Sequence, residues 1–158
     1  MSRVRSVLLT LAFGAALAGC RSGSSDFTAP EIEDVEFDPS LGVDLDQSQE
    51  TSSGLWIRDL TIGNGAEVVG GSTVGMYYSG YLWNGAKFDE RVAPAAPFTF
   101  TVGGGAVILG VDEGVRGMKV GGLRQLIIPP YLGYGPSQFG AIPGNSVLVF
   151  RIEIISVQ

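Results

Sequence analysis

Chemistry in this chain is concentrated between residues 103 and 135. Gly103-Gly104-Gly105-Ala106-Val107-Ile108 leads into a Gly-interrupted run to Met118, and Pro129-Pro130-Tyr131-Leu132-Gly133-Tyr134-Gly135 follows. The stretch holds no catalytic base; the chain has no histidine and one cysteine. Asp112 and Glu113 open a short expected helix, where they complement its dipole, and no further ligand stands at a spacing that would hold a metal. The glycine triplet lacks the following Lys-Ser/Thr and the parallel βαβ setting of a phosphate cradle. What remains is aromatic and aliphatic surface with a few hydroxyl and main-chain donors. Tyr77-Tyr78-Ser79-Gly80, Lys87-Phe88-Asp89 and Pro97-Phe98-Thr99-Phe100 lie upstream, with Ile142 and Phe150 downstream.

Taken in order, these segments resemble the FKBP-type peptidyl-prolyl isomerase domain over residues 52–158. Each motif is weak alone; the whole series, at family spacing, is specific, with one residue fewer between Gly135 and Ile142. The resemblance implies an apolar cup. Tyr78, Phe88 and Phe98 match its aromatic walls, and Asp89 a polar contact at the rim. Val107 and Ile108 match the pair whose second member offers a backbone N–H to the substrate carbonyl. Tyr134 matches the tyrosine whose hydroxyl donates to the bound peptide, while Ile142 and Phe150 match the late loop and last strand that close the cup. Val111 stands where the family has a bulky pocket floor, commonly Trp, so weakened affinity for proline and only weak macrolide binding are expected, the aromatic contact area being smaller. Gln138 and Phe139 replace the usual His-Pro-Gly turn.

The implied chemistry needs neither base nor cofactor. Rotation about an X-Pro bond faces a barrier of roughly 18–20 kcal/mol, because the planar amide is resonance-stabilised, and uncatalysed exchange takes about 10–100 s. The twisted amide is less polar than the planar one, so a low-polarity pocket binds it preferentially. A turnover of about 10–10³ s⁻¹ asks for roughly 4–7 kcal/mol of barrier lowering.

The elements that must position these residues read as β. In 147–154, Leu148, Phe150, Ile152 and Ile154 fall on one face and Val147, Val149, Arg151 and Glu153 on the other, the period of a half-buried strand. Residues 55–62, 73–82, 98–102 and 123–128 read as further strands, and Asn84-Gly85 as a tight hairpin turn. One short helix fits, over 109–118, limited by Gly110, Gly114 and Gly117. The fold class is therefore α+β; by resemblance, a curled antiparallel half-barrel wraps the helix. Trp56 and the other apolar period-two residues read as core, and Trp83 as half-exposed beside the turn.

The first residues read as a signal peptide over 1–19: Arg3 and Arg5, an apolar run over 7–17, then Leu17-Ala18-Gly19-Cys20. The last four closely resemble the bacterial lipobox, which implies cleavage before Cys20 and acylation of it; two or three acyl chains suffice for stable anchoring. From 21 to 51 nine acidic residues face one basic, against seven and seven from 52 to 158. This acidic, Ser/Gly-rich stretch reads as a flexible linker over 20–53, with Phe27, Ile32, Val35, Phe37 and Leu41 as apolar islands able to dock, and 54–158 reads as the domain. A nearly neutral domain argues against nucleic acid, which needs a basic patch. The expectation is a monomeric, lipid-anchored isomerase of the bacterial cell envelope, periplasmic in a Gram-negative cell, acting on proline-containing exported polypeptides with no cofactor and no metal. The rival readings are a prolyl-peptide binding or chaperone module with little turnover, and a structural envelope lipoprotein.

Overall fold

The structure, a computed structural model, describes residues 30–158. The signal-peptide reading of 1–19 and the lipidation reading of Cys20 lie outside the described residues. Seven strands form one antiparallel sheet: β1 (Gln49–Glu50), β2 (Trp56–Thr61), β3 (Thr73–Leu82), β4 (Lys87–Arg91), β5 (Phe98–Thr101), β6 (Leu123–Ile128) and β7 (Leu148–Val157). Their order is β1-β2-β6-β7-β3-β4, with β5 also paired to β3. Strands β3 and β7 form the spine, from Val74 opposite Val157 to Leu82 opposite Leu148. The outer edge of β3 is shared: β5 takes its first half and β4 its second.

The alternation in β7 does what its period dictates. Leu148, Phe150, Ile152 and Ile154 are all buried, in one core with Val74, Met76, Phe100, Val111, Leu126 and Ile128. Each such side chain contributes roughly 1.5–3 kcal/mol by leaving water. The hairpin expected at Asn84-Gly85 forms, with Gly85 at φ +84° and its N–H donating to the Leu82 carbonyl.

The only α-helix among the described residues, α1 (Leu109–Gly114), is shorter than the expected 109–118; its main chain leaves the helix before Gly117, which sits at φ +73°. It lies on β6 with glycine facing the sheet: a Cβ on Gly110 would come within 2.5 Å of Ile128, and one on Gly114 within 2.4 Å of Leu126. The buried Arg124 guanidinium donates to the carbonyls of Gly114 (2.8 Å) and Arg116 (3.1 Å) while pairing with Asp59 at 2.6 Å. A cation at the carbonyl end of a helix complements its dipole, so this contact fixes where α1 stops.

The expected flexible linker over 20–53 is corrected over its described part. Residues 30–48 run as a strap of three short 3-10 turns across the outer face of the sheet, and Gln49–Glu50 add an edge strand to β2. Ile32 packs with Ile127 and Val147 in a second apolar cluster, flanked by Val35, Phe37, Val43, Leu45 and Trp56. Val147 and Val149 are therefore fully buried, not half-exposed, because both faces of β7 are covered. The acidic residues lie on the solvent side while the apolar islands offset the ordering entropy that the composition alone would not. The folded unit accordingly includes the described residues before 54.

Leu41→Ala should lower stability by about 2 kcal/mol, at the small end of large-to-small core changes, in urea unfolding of a 30–158 chain. A chain starting at 52 should aggregate on heating, since Ile127, Val147 and Val149 become an exposed patch; wild-type stability in both would contradict a packed strap.

Candidate functional site

The residues that position the cup come from four strands, the loop before α1, α1 itself and the loop carrying Tyr134. Strand β3 supplies Met76 and Tyr78 from one face, two residues apart, and Phe98 comes from β5, opposite Met76 in the register. Strand β4 supplies Phe88 and Asp89, and β7 supplies Phe150, opposite Gly80. A Cβ on Gly80 would come within 2.8 Å of the Phe88 ring and 2.9 Å of the Phe150 ring. Glycine at this position is what lets the two rings meet. The loop 103–108 is tied to α1 by Asp112, whose carboxylate accepts the Gly103 N–H (2.6 Å) and pairs with Arg116 at 2.7 Å. Ile108 precedes the helix at φ −62°, ψ 151°, its carbonyl accepting the N–H groups of Val111 and Asp112.

A cavity of about 360 Å³ results, lined by Met76, Tyr78, Asp89, Phe98, Gly105, Ala106, Val107, Ile108, Val111, Tyr134 and Phe150. Eight of the ten residues singled out from sequence line it. Phe88 instead stands behind the wall, its ring edge-on to Phe150 at 5.5 Å and to Tyr134 at 6.4 Å. Ile142 is buried in the main core beneath the late loop. The rings form an arc: Phe98 meets Tyr78 at 6.0 Å, Tyr78 meets Phe150 at 6.1 Å, and Phe88 links Phe150 to Tyr134. Centroid separations of this kind contribute roughly 0.5–1.5 kcal/mol per pair beyond area burial. Val111, 3% exposed, closes the bottom as an aliphatic floor.

Sequence reasoning missed Met76, Gly105 and Ala106 as lining residues. Met76 carried a signal, since it shares the strand face of Tyr78 two residues on. It also gave Phe139 no partner: the exposed Phe139 ring stacks on Tyr134 at 4.7 Å and 12°, on a loop closed by reciprocal main-chain bonds between Phe139 and Ile142. Trp83 is exposed at the hairpin turn, and Trp56 packs under the strap.

Polar groups are few at the rim, and Tyr78 and Asp89 engage each other there. The Tyr78 hydroxyl donates to the Asp89 carboxylate at 2.8 Å, and the other Asp89 oxygen accepts the Glu90 N–H at 2.8 Å. Burial pushes the Tyr78 hydroxyl up from 10.0 to about 12, helped by its hydrogen bond to Asp89 and that residue's negative charge. Burial and Asp89 also push Tyr134 up. Tyr134 makes no side-chain hydrogen bond among the described residues, and neither does the Ile108 N–H find an acceptor there, so two donors remain for an incoming carbonyl. No three His, Cys, Asp or Glu side chains converge among the described residues.

Folded Tyr78 keeps its proton to higher pH than the unfolded chain, so its contribution to stability is whole below 10.0 and is lost as pH rises towards about 12. Urea midpoints should therefore fall through that interval, and Tyr78→Phe should remove part of the fall; an identical decline in the variant would contradict the burial of this hydroxyl.

Comparison with known proteins fits this geometry. Residues 65–155 match the family model described as FKBP-type peptidyl-prolyl cis-trans isomerase. The chain is 46% identical over 105 residues to the FK506-binding protein of Neisseria meningitidis serogroup B, covering 66% of this chain and 96% of that one. It is 42% identical over 120 residues to FK506-binding protein 4 of Gibberella zeae, covering 76% of this chain but 23% of that longer protein. Among solved structures, FkpA from Escherichia coli superposes with a TM-score of 0.65 at 36% identity, covering 71% of this chain and 52% of that one. AtFKBP13 superposes at 0.64 and 39%, covering 70% and 98%. With more than half its length in the matched model and its aromatic cup in place, the chain belongs to the FKBP-type peptidyl-prolyl cis-trans isomerase family.

Proposed function

We propose that this chain is a peptidyl-prolyl cis-trans isomerase that accelerates folding of exported polypeptides. The observation that carries the reading is the aromatic arc around a cavity of about 360 Å³, floored by Val111. A proline ring entering it leaves water together with its preceding amide. The planar amide loses solvation that its twisted form needs less, so the difference between the two binding energies lowers the barrier. In this reading the Ile108 N–H and the Tyr134 hydroxyl hold the peptide, Tyr78 and Asp89 brace the rim through their hydrogen bond, and Phe98, Phe150 and Val107 exclude water. No proton moves, and turnover should be flat across neutral pH.

Residues 30–158, at micromolar concentration, should speed a refolding reaction limited by one X-Pro bond. Tyr134→Phe should slow it by a few-fold and Phe150→Ala by about ten-fold or more, the latter removing wall contact worth more than 1.4 kcal/mol. Absence of any acceleration by the wild type would refute the enzymatic reading. A second reading, prolyl-peptide binding with little turnover, is motivated by Val111: the small floor leaves the bound ring with less aromatic contact. Comparing Val111→Trp with wild type in the same assay decides between them, since a gain marks a working cup limited by its floor, and equal inactivity with retained peptide binding marks a binding module. Weak macrolide binding follows from the same floor.

The location proposed is the bacterial cell envelope, the chain being lipidated at Cys20 after cleavage of 1–19, as a monomer outside the cytoplasm. Support comes from Arg3 and Arg5, the apolar run and Leu17-Ala18-Gly19-Cys20. In a bacterial host, Cys20→Ser should move the protein from the membrane to the soluble fraction, with the acyl mass lost from its N-terminal peptide. A wild type lacking that mass would overturn the anchor.

A further inference from the structure

The strap over 30–50 lies outside the matched family region, yet it reaches the site through one residue. Before β1 it has only short 3-10 turns of its own, so its position is set by the apolar side chains it packs on the sheet and by what its main chain binds. The Leu41 carbonyl accepts from Gln125 Nε2 at 2.8 Å and from Arg151 Nη2 at 2.7 Å, two side chains that face each other across β6 and β7. Gln125 is 1% exposed, so this clamp sits beyond competition from water. Three residues earlier, Asp38 opens the turn Pro39–Leu41, its carboxylate accepting the Ser40 N–H at 2.9 Å and hydroxyl at 2.6 Å. The Asp38 N–H then donates to the Trp83 carbonyl at 2.9 Å, and Asp38 packs on Gly85, where a Cβ would meet its Cγ at 3.0 Å.

That contact falls on the tip of the hairpin joining β3 to β4. Strand β4 is an edge: it pairs with β3 alone, and of its residues only Phe88 is partly buried. An edge strand held by one ladder is the part of a sheet that opens most readily. It is also the strand that carries Phe88 and Asp89, whose ring supports Phe150 and Tyr134 and whose carboxylate accepts from Tyr78.

We propose that Asp38 is a positioning residue for the cup: by joining the buried clamp at Leu41 to the hairpin at Trp83 and Gly85, it holds β4 so that Phe88 and Asp89 stay in the aromatic arc. The strap is thus part of the site's support and not a spacer. This rests on the isomerase reading of the cup for its kinetic readout, and on the geometry of β4 alone for its spectroscopic one.

Asp38→Pro tests it: φ at this position is −59°, which a proline ring adopts, while the ring removes the N–H and sets its Cδ against the Trp83 carbonyl, so the local turn is kept and the contact with the hairpin is broken. In a 30–158 chain the variant should shift the amide resonances of Phe88 and Asp89 and speed their hydrogen exchange, while β6 and β7 amides stay protected. It should lower kcat/KM for a prolyl peptide about five-fold, and in a Phe88→Ala background the further drop should shrink to less than about two-fold, as expected of residues acting through one another. Asp38→Asn, which keeps the N–H and a capping oxygen, should behave as wild type. Unchanged Phe88 and Asp89 resonances in Asp38→Pro, or an equal drop in both backgrounds, would overturn the proposal. Should wild type show no turnover, the isomerase reading fails and the resonances still decide this one. If Asp38→Pro does not fold, exchange in wild type decides: an Asp38 amide protected to the same degree as the amides of β4 supports the clip, and one exchanging like an open loop overturns it.

Discussion

The distance between α1 and β6 governs the rest of this molecule. Glycine at 110 and 114 removes the side chains that would hold the helix off Ile128 and Leu126, and Arg124 pins the carbonyl end of the same helix to the sheet. A helix of six residues has little intrinsic stability; here packing and a buried cation supply it. Because α1 lies close, Val111 sits at the bottom of a hollow rather than within it, and Ile108 is presented at the helix entrance with its N–H free. Substituting either glycine would lift the floor before it altered any wall.

The walls then follow from strand register. Met76 and Tyr78 share a face because a strand repeats every two residues, and Phe98 and Phe150 reach them from β5 and β7, two of the three strands that pair with β3. The result is a surface with almost no free charge facing the cavity. The upward push on Tyr78 and Tyr134 reports the same environment, since burial disfavours the phenolate first and Asp89 second. An environment hostile to charge is also hostile to the dipole of a planar amide, which ties the titration of these tyrosines to the catalysis proposed for the site.

Much of this was readable before any fold was seen. The alternation of Leu148, Phe150, Ile152 and Ile154 and the Asn84-Gly85 turn each carry a local physical rule, and both are local features of the structure; the Val107-Ile108 pair was legible only through the family resemblance. The strap was not readable in the same way. Its acidic residues dominate the composition, while the residues that anchor it, Ile32 and Leu41, are isolated and without period. Their partners, Ile127, Val147, Gln125 and Arg151, lie at least eighty residues away, and nothing local marks the outer face of β6 and β7 as covered. Phe88 and Ile142 were placed in the cup by motif alone; whether a ring lines a cavity or buttresses the ring that does depends on neighbours such as Gly80, which no spacing rule weighs.

The central claim is that this cavity lowers the barrier between planar isomers of an X-Pro amide. Two-dimensional NMR exchange on a short proline peptide with a substoichiometric amount of the 30–158 chain measures this directly. The account predicts cross-peaks between the cis and trans resonances that are absent from peptide alone, with the Tyr78 and Phe150 resonances of the protein shifting as peptide is added. Sharp, unexchanging cis and trans signals at peptide concentrations that saturate those shifts would contradict it.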